Sequence, residues 1–396
     1  MPWTHTHPMD ERAKFIHHLQ DGLYSMTELC HRFGVSRKTG YKWRDRYDQG
    51  GLDALADRSR APRTCPHTTP AHVAALLLDA RRAHPTWGPL KLLHYLRPRH
   101  PEFAFPAPST VGDLLARHGL VQPRRTRRPH RTGPVAAPLT TTAPGEVWSA
   151  DFKGEFRLGS RAYCYPLTVQ DAHARFLLAC EGLPSTATEG ARTVFERLFA
   201  EHGLPVAIRT DNGVPFAARG LCGLSRLSVW WLKLGIRPDR IAPAQPQQNG
   251  RHERMHKTLK AEATRPPSAT MAGQQARFDA FRAEYNTERP HQALGGAVPA
   301  AHYARSPRAL PSRCPEPEYA GHLEVRRVSG VGTVKFKGRE VFLTTVLSRE
   351  RVGLEEVADG VWAVRFAGVE LGRLDERRWV VSSGHPGRSA APPRAR

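Results

Sequence analysis

Three carboxylates placed where short elements stop constrain this chain more than any other feature. Asp151 ends the apolar run Val147-Trp148-Ser149-Ala150, and Asp211 follows Val206-Ala207-Ile208 after two residues. Glu253 sits just inside a helical stretch that opens after Asn249-Gly250. Carboxylates from two strand ends and a helix can converge on one point. Such a cluster repels itself and raises at least one pKa unless divalent cations neutralise it, and hard oxygen ligands suit Mg²⁺ or Mn²⁺. Two such ions roughly 3.5–4 Å apart clamp the attacking and leaving oxygens of an in-line phosphate displacement. Asp151, Asp211 and Glu253 therefore read together as the catalytic and metal-holding residues of a phosphoryl-transfer site with two ions.

The strings around these acids carry a resemblance. With Gln245-Pro246-Gln247-Gln248-Asn249-Gly250-Arg251-His252-Glu253-Arg254 and Tyr285-Asn286-Thr287-Glu288-Arg289-Pro290-His291-Gln292-Ala293-Leu294, the chain resembles the DDE transposases of bacterial insertion sequences, whose core is like retroviral integrase. Between Asp211 and Glu253 lie 41 residues, more than is common in that superfamily, and a segment around Leu221 to Trp231 would absorb the excess. The resemblance implies an RNase H-like α/β core that cuts the ends of a mobile element and joins their 3′ hydroxyls to target DNA. Asp171 competes for a role, but Gln170-Asp171-Ala172-His173 lies between strand-like runs, where turn chemistry explains it.

Charge agrees with a polyanionic partner. Lys plus Arg number 59 against 37 Asp plus Glu, a formal net charge of +22. Residues 1–133 hold 22 Lys/Arg and 11 Asp/Glu, half of the whole excess. That clustering favours a front end that binds double-stranded DNA. The six cysteines are scattered with no Cys-x-x-Cys pair, and no secretory signal precedes them. This argues for a reducing interior and against disulfides or structural zinc. His5, His7, His17, His18 and Cys30 lack the spacing of the zinc module that opens retroviral integrases, so no zinc is expected. No apolar run reaches the length of a membrane span, and the expected place of work is the cytoplasm, on the nucleoid.

Residues 1–56 read as a helix-turn-helix. Asp10 can cap a helix with Phe15, Ile16 and Leu19 on one stripe, and Ser25-Met26-Thr27-Glu28 has capping-box form. Gly34 makes the turn, and Ser36 caps a helix that keeps Arg37, Lys38, Tyr41, Lys42 and Arg44 available for a major groove. Residues 66–122 suit a second such unit, with apolar faces at Ala74, Leu77 and Leu78, then Leu90, Leu92, Leu93 and Leu96, then Val111, Leu114 and Leu115. Two reading heads recognise a longer terminal sequence than one. Residues 123–142 form a basic linker in which Arg124, Arg125, Arg127 and Arg128 can contact phosphates or the minor groove.

The α/β core runs over 143–310. On its acid-bearing helix, Lys257 and Lys260 share a face with Glu253 and would lie beside a DNA end, while His252, Arg254 and His256 have open roles. Residues 322–381 alternate in short runs broken by Lys337-Gly338, Asp359-Gly360 and Ala367-Gly368, which suggests a small SH3-like β-barrel. Residues 382–396 are expected to be disordered. The whole reads as a multidomain transposase, a homo-oligomer on DNA. Two other readings stay open, a DNA-binding regulator with an inactive core and an RNase H-like nuclease. Three intact acids disfavour the first, and tandem reading heads disfavour the second.

Overall fold

A computed structural model of the chain describes residues 7–59, 68–121, 141–218, 220–242 and 246–383. Arg124, Arg125, Arg127 and Arg128 of the basic linker lie outside the described residues. The chain divides into two compact units, Met1–Thr68 and Thr69–Arg396.

The first unit holds α1 (Pro8–Gln20), α2 (Met26–Arg32) and α3 (Arg37–Gly50) around Phe15, Ile16, Leu29, Cys30, Trp43 and Leu55. Ser25 and Glu28 form a reciprocal capping box, and Ser36 accepts from the Thr39 amide. Gly34 turns the chain at φ +62°. Asp10 is not the cap of α1. His7 holds that place, accepting from the Met9 amide, because Pro8 opens the helix and leaves Asp10 inside the first turn. Gly40 lies where α3 crosses α2, and a Cβ there would meet the Cys30 sulfur at 2.6 Å.

The second unit begins with α4 (Ala71–Ala83), α5 (Pro89–Leu96) and α6 (Pro108–Arg117). Their core joins Val73, Leu77, Leu92, Leu93, Leu96, Val111, Leu114 and Leu115 to the fully buried Trp87. Leu90 does not belong to it. It follows the helix-opening Pro89 and remains exposed, turned to one side of the stripe through Leu92, Leu93 and Leu96.

The α/β core follows: β1 (Val147–Phe152), β2 (Phe156–Arg157), β3 (Tyr163–Asp171), β4 (Leu177–Leu183), α7 (Thr188–His202), β5 (Ala207–Thr210), α8 (Arg226–Lys233), β6 (Arg237–Arg240), α9 (Gly250–Glu262) and α10 (Met271–Thr287). The sheet runs β2-β3-β1-β5-β6, with β4 also paired to β3. Strands β3 and β4 are antiparallel to their neighbours, whereas β1, β5 and β6 run parallel. This is an RNase H-like arrangement with covered faces. One face packs Trp148, Ala150, Leu167 and Val169 against Phe195 and Phe199 of α7 and Trp231 of α8. The other packs Cys164, Leu177 and Cys180 against Met255 and Leu259 of α9 and Phe278 of α10. Alternation along β1 thus sends Trp148 and Ala150 into the first layer.

The long segment between the second and third acids has a packing reason. Helix α8 is buried all round: Leu227, Trp230 and Trp231 face the sheet core, while Val229 and Leu232, with Leu221 and Leu224, join a C-terminal core. That core belongs to β7 (Glu324–Arg327), β8 (Thr333–Phe336), β9 (Arg339–Phe342), β10 (Arg351–Ala358), β11 (Val361–Phe366), β12 (Val369–Asp375) and β13 (Val380–Ser383). The sequence suggests a small barrel, but the ladders stay open. Five strands form an antiparallel sheet β13-β12-β11-β10-β7, and β8-β9 pairs apart as a hairpin. The glycine turns are where the pattern expects them, with Lys337-Gly338 and Ala367-Gly368 both at positive φ. Strand β13 runs to Ser383, so the first residues assigned to a tail are paired.

Candidate active site

Strand register builds the site. Ala150 of β1 pairs with Thr210 of β5 in the parallel ladder, so Asp151 and Asp211 follow at neighbouring strand ends. Across the antiparallel ladder Asp151 faces Thr168 of β3. The burial of Asp151 and the negative charge of Asp211 push its carboxyl up to about 7, with a smaller push from Glu253. Asp211 has one carboxylate oxygen bonded to the Gly213 amide at 3.0 Å, within its own turn. Glu253 lies in the first turns of α9 and is exposed, as are Lys257 and Lys260.

Cations reach the same place. The Lys153 ammonium has its pKa lowered by burial and then by Lys260, so these two lysines converge beside Asp151. Lys260 is read from the sequence as a DNA contact; Lys153, two residues past Asp151, is not.

Beneath the acids lies a buried polar cluster. Ser149 Oγ is 2.8 Å from His252 Nδ1, and Thr168 Oγ1 is 2.7 Å from both His252 Nε2 and His256 Nε2. Thr168 also donates to the Asp151 carbonyl at 3.0 Å. A hydroxyl has one proton, so satisfying all three contacts makes both imidazoles N–H donors to Thr168. His252 then accepts at Nδ1 from Ser149, whose single proton goes to this 2.8 Å contact rather than to the Gln170 carbonyl at 3.3 Å. His256 is left with a bare Nδ1, 3.7 Å from the Asp151 carboxylate. Burial holds both imidazoles neutral, His252 with a pKa near 3. Among the described residues, one group of metal-ligand atoms gathers within 4.8 Å, and it is Asp151, His252 and His256. Asp211 and Glu253 stand outside that group, within electrostatic reach of Asp151.

Sequence spacing alone carries a signal for part of this cluster, since His252 and His256 share a helix face four residues apart. Ser149 and Thr168 offer none, because only strand register brings them together. Asp171 accepts from the amides of Gly145, His173 and Ala174, the turn role its neighbours suggest.

The five major-groove candidates on α3, Arg37, Lys38, Tyr41, Lys42 and Arg44, are exposed. They differ in what already holds them. Arg44 pairs with Asp45 at 2.8 Å, and the Lys42 ammonium lies over the Trp43 ring at 4.6 Å.

Comparison with known families agrees with this architecture. The integrase core domain family matches residues 141–246 and again 234–299, the span that holds all three acids. The chain carries an integrase core. Ahead of it, a helix-turn-helix domain family matches residues 11–63 and a homeodomain-like family matches 39–115. The chain is similar to an uncharacterized 39.2 kDa protein of insertion element IS476 from Xanthomonas euvesicatoria, 28% identical over 264 residues, covering 64% of this chain and 71% of that one. A 31.7 kDa protein of insertion element IS407 from Burkholderia multivorans is 29% identical over 170 residues, covering 41% and 57%. The Gag-Pol polyprotein of baboon endogenous virus is 32% identical over 122 residues, covering 31% of this chain but 7% of the polyprotein. Among solved structures, a simian T-cell lymphotropic virus intasome chain covers 74% of this chain and 91% of its own length at 15% identity and a TM-score of 0.38. The HTLV-2 integrase catalytic core in complex with magnesium covers 42% and 100% at 12% identity and 0.34. Among the described residues, no helix is long and apolar enough to cross a membrane.

Proposed function

We propose that this integrase-core protein is a transposase. It binds the ends of its element as double-stranded DNA, cleaves at the 3′ ends, and joins the freed 3′ hydroxyls to target DNA, acting as a homo-oligomer. The observation that carries this reading is the pairing of Ala150 with Thr210, which sets Asp151 and Asp211 at adjacent strand ends with Glu253 near enough to raise the Asp151 pKa.

The donor set fits hard divalent cations. A carboxyl whose pKa is raised by burial and then by its acidic neighbours is a site whose penalty a cation relieves. Asp151, Asp211 and Glu253 would hold Mg²⁺ or Mn²⁺, as two ions. When bound, the ions supply charge neutralisation at the reacting phosphate and lower the pKa of the attacking oxygen. The remaining work falls to the chain. Thr168, His252 and Ser149 fix the His256 ring, so that its bare Nδ1 faces Asp151. Lys153, Lys257 and Lys260 attract and align the strand's phosphates. Attack by water and then by the 3′ hydroxyl needs no covalent protein–DNA intermediate.

The test is incubation of the purified chain with end-containing duplex and Mg²⁺ or Mn²⁺, with sequencing of the products. Cleaved 3′ ends and strand-joined molecules are expected. Sequence-specific binding with no cleavage under either ion would favour a DNA-binding regulator.

A further inference from the structure

On the other side of α9 from Glu253, one cavity of about 360 Å³ is lined by five cationic side chains: Lys91 of α5, Arg175 of the turn between β3 and β4, Arg251 and Arg254 of α9, and Arg289 just past α10. Gln170, Thr258 and Tyr285 add neutral hydrogen-bonding groups, and among the described residues no carboxylate lines it. Two acids act on these cations from outside the lining: Glu262 pairs with Arg289 at 2.7 Å and accepts from Thr86, and Asp171 opposes the Arg175 shift least of the groups around it, its carboxylate accepting three backbone amides. Arg289 is therefore answered by an ion pair, while the buried Nε of Arg175 has no hydrogen-bond partner among the described residues.

These cations are held together against their own repulsion. Burial and then Arg251 and Arg254 bring the Arg175 pKa down to about 10. Burial and then Arg289 bring Lys91 down to about 8, with Glu262 opposing. Gathering like charges in a partly buried cavity costs free energy unless an anion completes it. Guanidinium forks suit the tetrahedral oxygens of phosphate, and a cavity of this size admits one such group.

We propose that this cavity seats a backbone phosphate of the DNA strand engaged by the integrase core, with Arg175, Arg254 and Lys91 as its donors. The proposal rests on the transposase reading above. DNA is favoured over a free anion because Arg251 and Arg254 are exposed and stand within one turn of Glu253 on α9, so the cavity is built on the same helix that presents the third acid. Lys91 comes from the second helical module and the other donors from the core, so one phosphate would tie the two together on DNA.

The experiment uses the full chain and its Arg175→Met and Lys91→Met variants, each losing a charge from the cavity while keeping an apolar stem. Affinity for element-end duplex is measured across a salt series, and melting temperature is measured with and without inorganic phosphate. Each variant is expected to bind DNA about tenfold more weakly, with the slope of log K against log salt reduced by about 0.9, and to melt no lower than wild type. Wild-type binding with unchanged affinity and slope in both variants overturns the proposal and leaves the transposase reading standing. If wild type fails to bind DNA, that reading falls. Phosphate that then raises the melting temperature of wild type alone would assign the cavity to a free anion, against the proposal.

Discussion

Ala150 and Thr210 are partners in the parallel ladder of β1 and β5, and each is followed by an aspartate. Backbone register thus fixes the points from which the two side chains project, part of the preorganisation that a phosphoryl-transfer site needs. Asp151→Asn, Asp211→Asn and Glu253→Gln should each abolish cleavage and joining while leaving end binding intact, because the groups that read DNA sit in other domains. Gel assays of binding and strand transfer on the same preparations check this. Near-normal joining by any one variant removes that residue from the site.

The raised pKa of Asp151 makes a second prediction, for metal-free protein in chelator. Its carboxyl titrates at about 7 in the fold against an ordinary value of 3.8. The folded state thus retains a proton that the unfolded chain releases above about pH 4. The stability this adds is fully present below that pH and is lost as pH rises through about 7, at most about 4 kcal/mol by the usual conversion of about 1.4 kcal/mol per unit. Denaturation curves of wild type and Asp151→Asn, subtracted at each pH, should show that loss. Mn²⁺ at pH 8 should raise the wild-type melting temperature and leave Asp151→Asn unmoved. A pH-independent difference would mean that the carboxyl is solvated and the site open.

What could be read from the sequence was local. A capping box at Ser25 and Glu28, a strand with an aspartate near its end, and glycine turns such as Lys337-Gly338 each declare themselves within a few residues. The contacts missed are distant ones. Thr168 and His252 meet across 84 positions, and only the antiparallel register of β1 with β3 brings the threonine under Asp151. The open C-terminal sheet has the same cause, since hairpin turns fix neighbouring strands but say nothing of whether the outer ones close. Asp10 was outcompeted by His7 because Pro8 moved the helix start, a shift of three residues that periodicity does not resolve.

The polar cluster gives a third prediction. Thr168→Val removes the acceptor of two buried imidazole N–H groups, and at about 1–3 kcal/mol for each orphaned donor the fold should lose about 2–6 kcal/mol. Thr168→Ser keeps the hydroxyl and should cost about 1 kcal/mol or less while retaining strand transfer. If valine is tolerated as well as serine, the hydroxyl is not what positions His252 and His256. Chemical denaturation of the three proteins decides it.

Recognition by α3 can be tested apart from chemistry. Arg37→Ala in the full chain should weaken end binding by about 1–3 kcal/mol if it reads a base, and more for the element's end than for unrelated duplex. Lys42→Ala should weaken both, though it also strips the cation from the face of Trp43 and so disturbs packing. Competition titrations with specific and random duplex separate the two. Equal loss on every duplex would make α3 a phosphate contact only.

Glu262 supplies the sharpest check on which carboxylate of α9 belongs to the site. Read from sequence alone, Glu262→Gln should be mild, since nine residues carry it to the opposite side of the helix from Glu253. The structure gives it a separate duty: with side chains 19% and 6% exposed, Glu262 and Arg289 form a shielded ion pair that also holds Thr86 of the second helical module. Removing the charge leaves Arg289 unanswered, and the fold should lose about 2–4 kcal/mol, near the range for breaking a buried pair. Activity per folded molecule should survive. Glu253→Asp should behave in the opposite way, with stability unchanged and strand transfer reduced at least tenfold, because the carboxylate is drawn back by one methylene. Measuring melting temperature and strand transfer on both variants reads the two roles separately. A dead but stable Glu262→Gln beside an active Glu253→Gln would mean that the third acid has been assigned to the wrong face of α9.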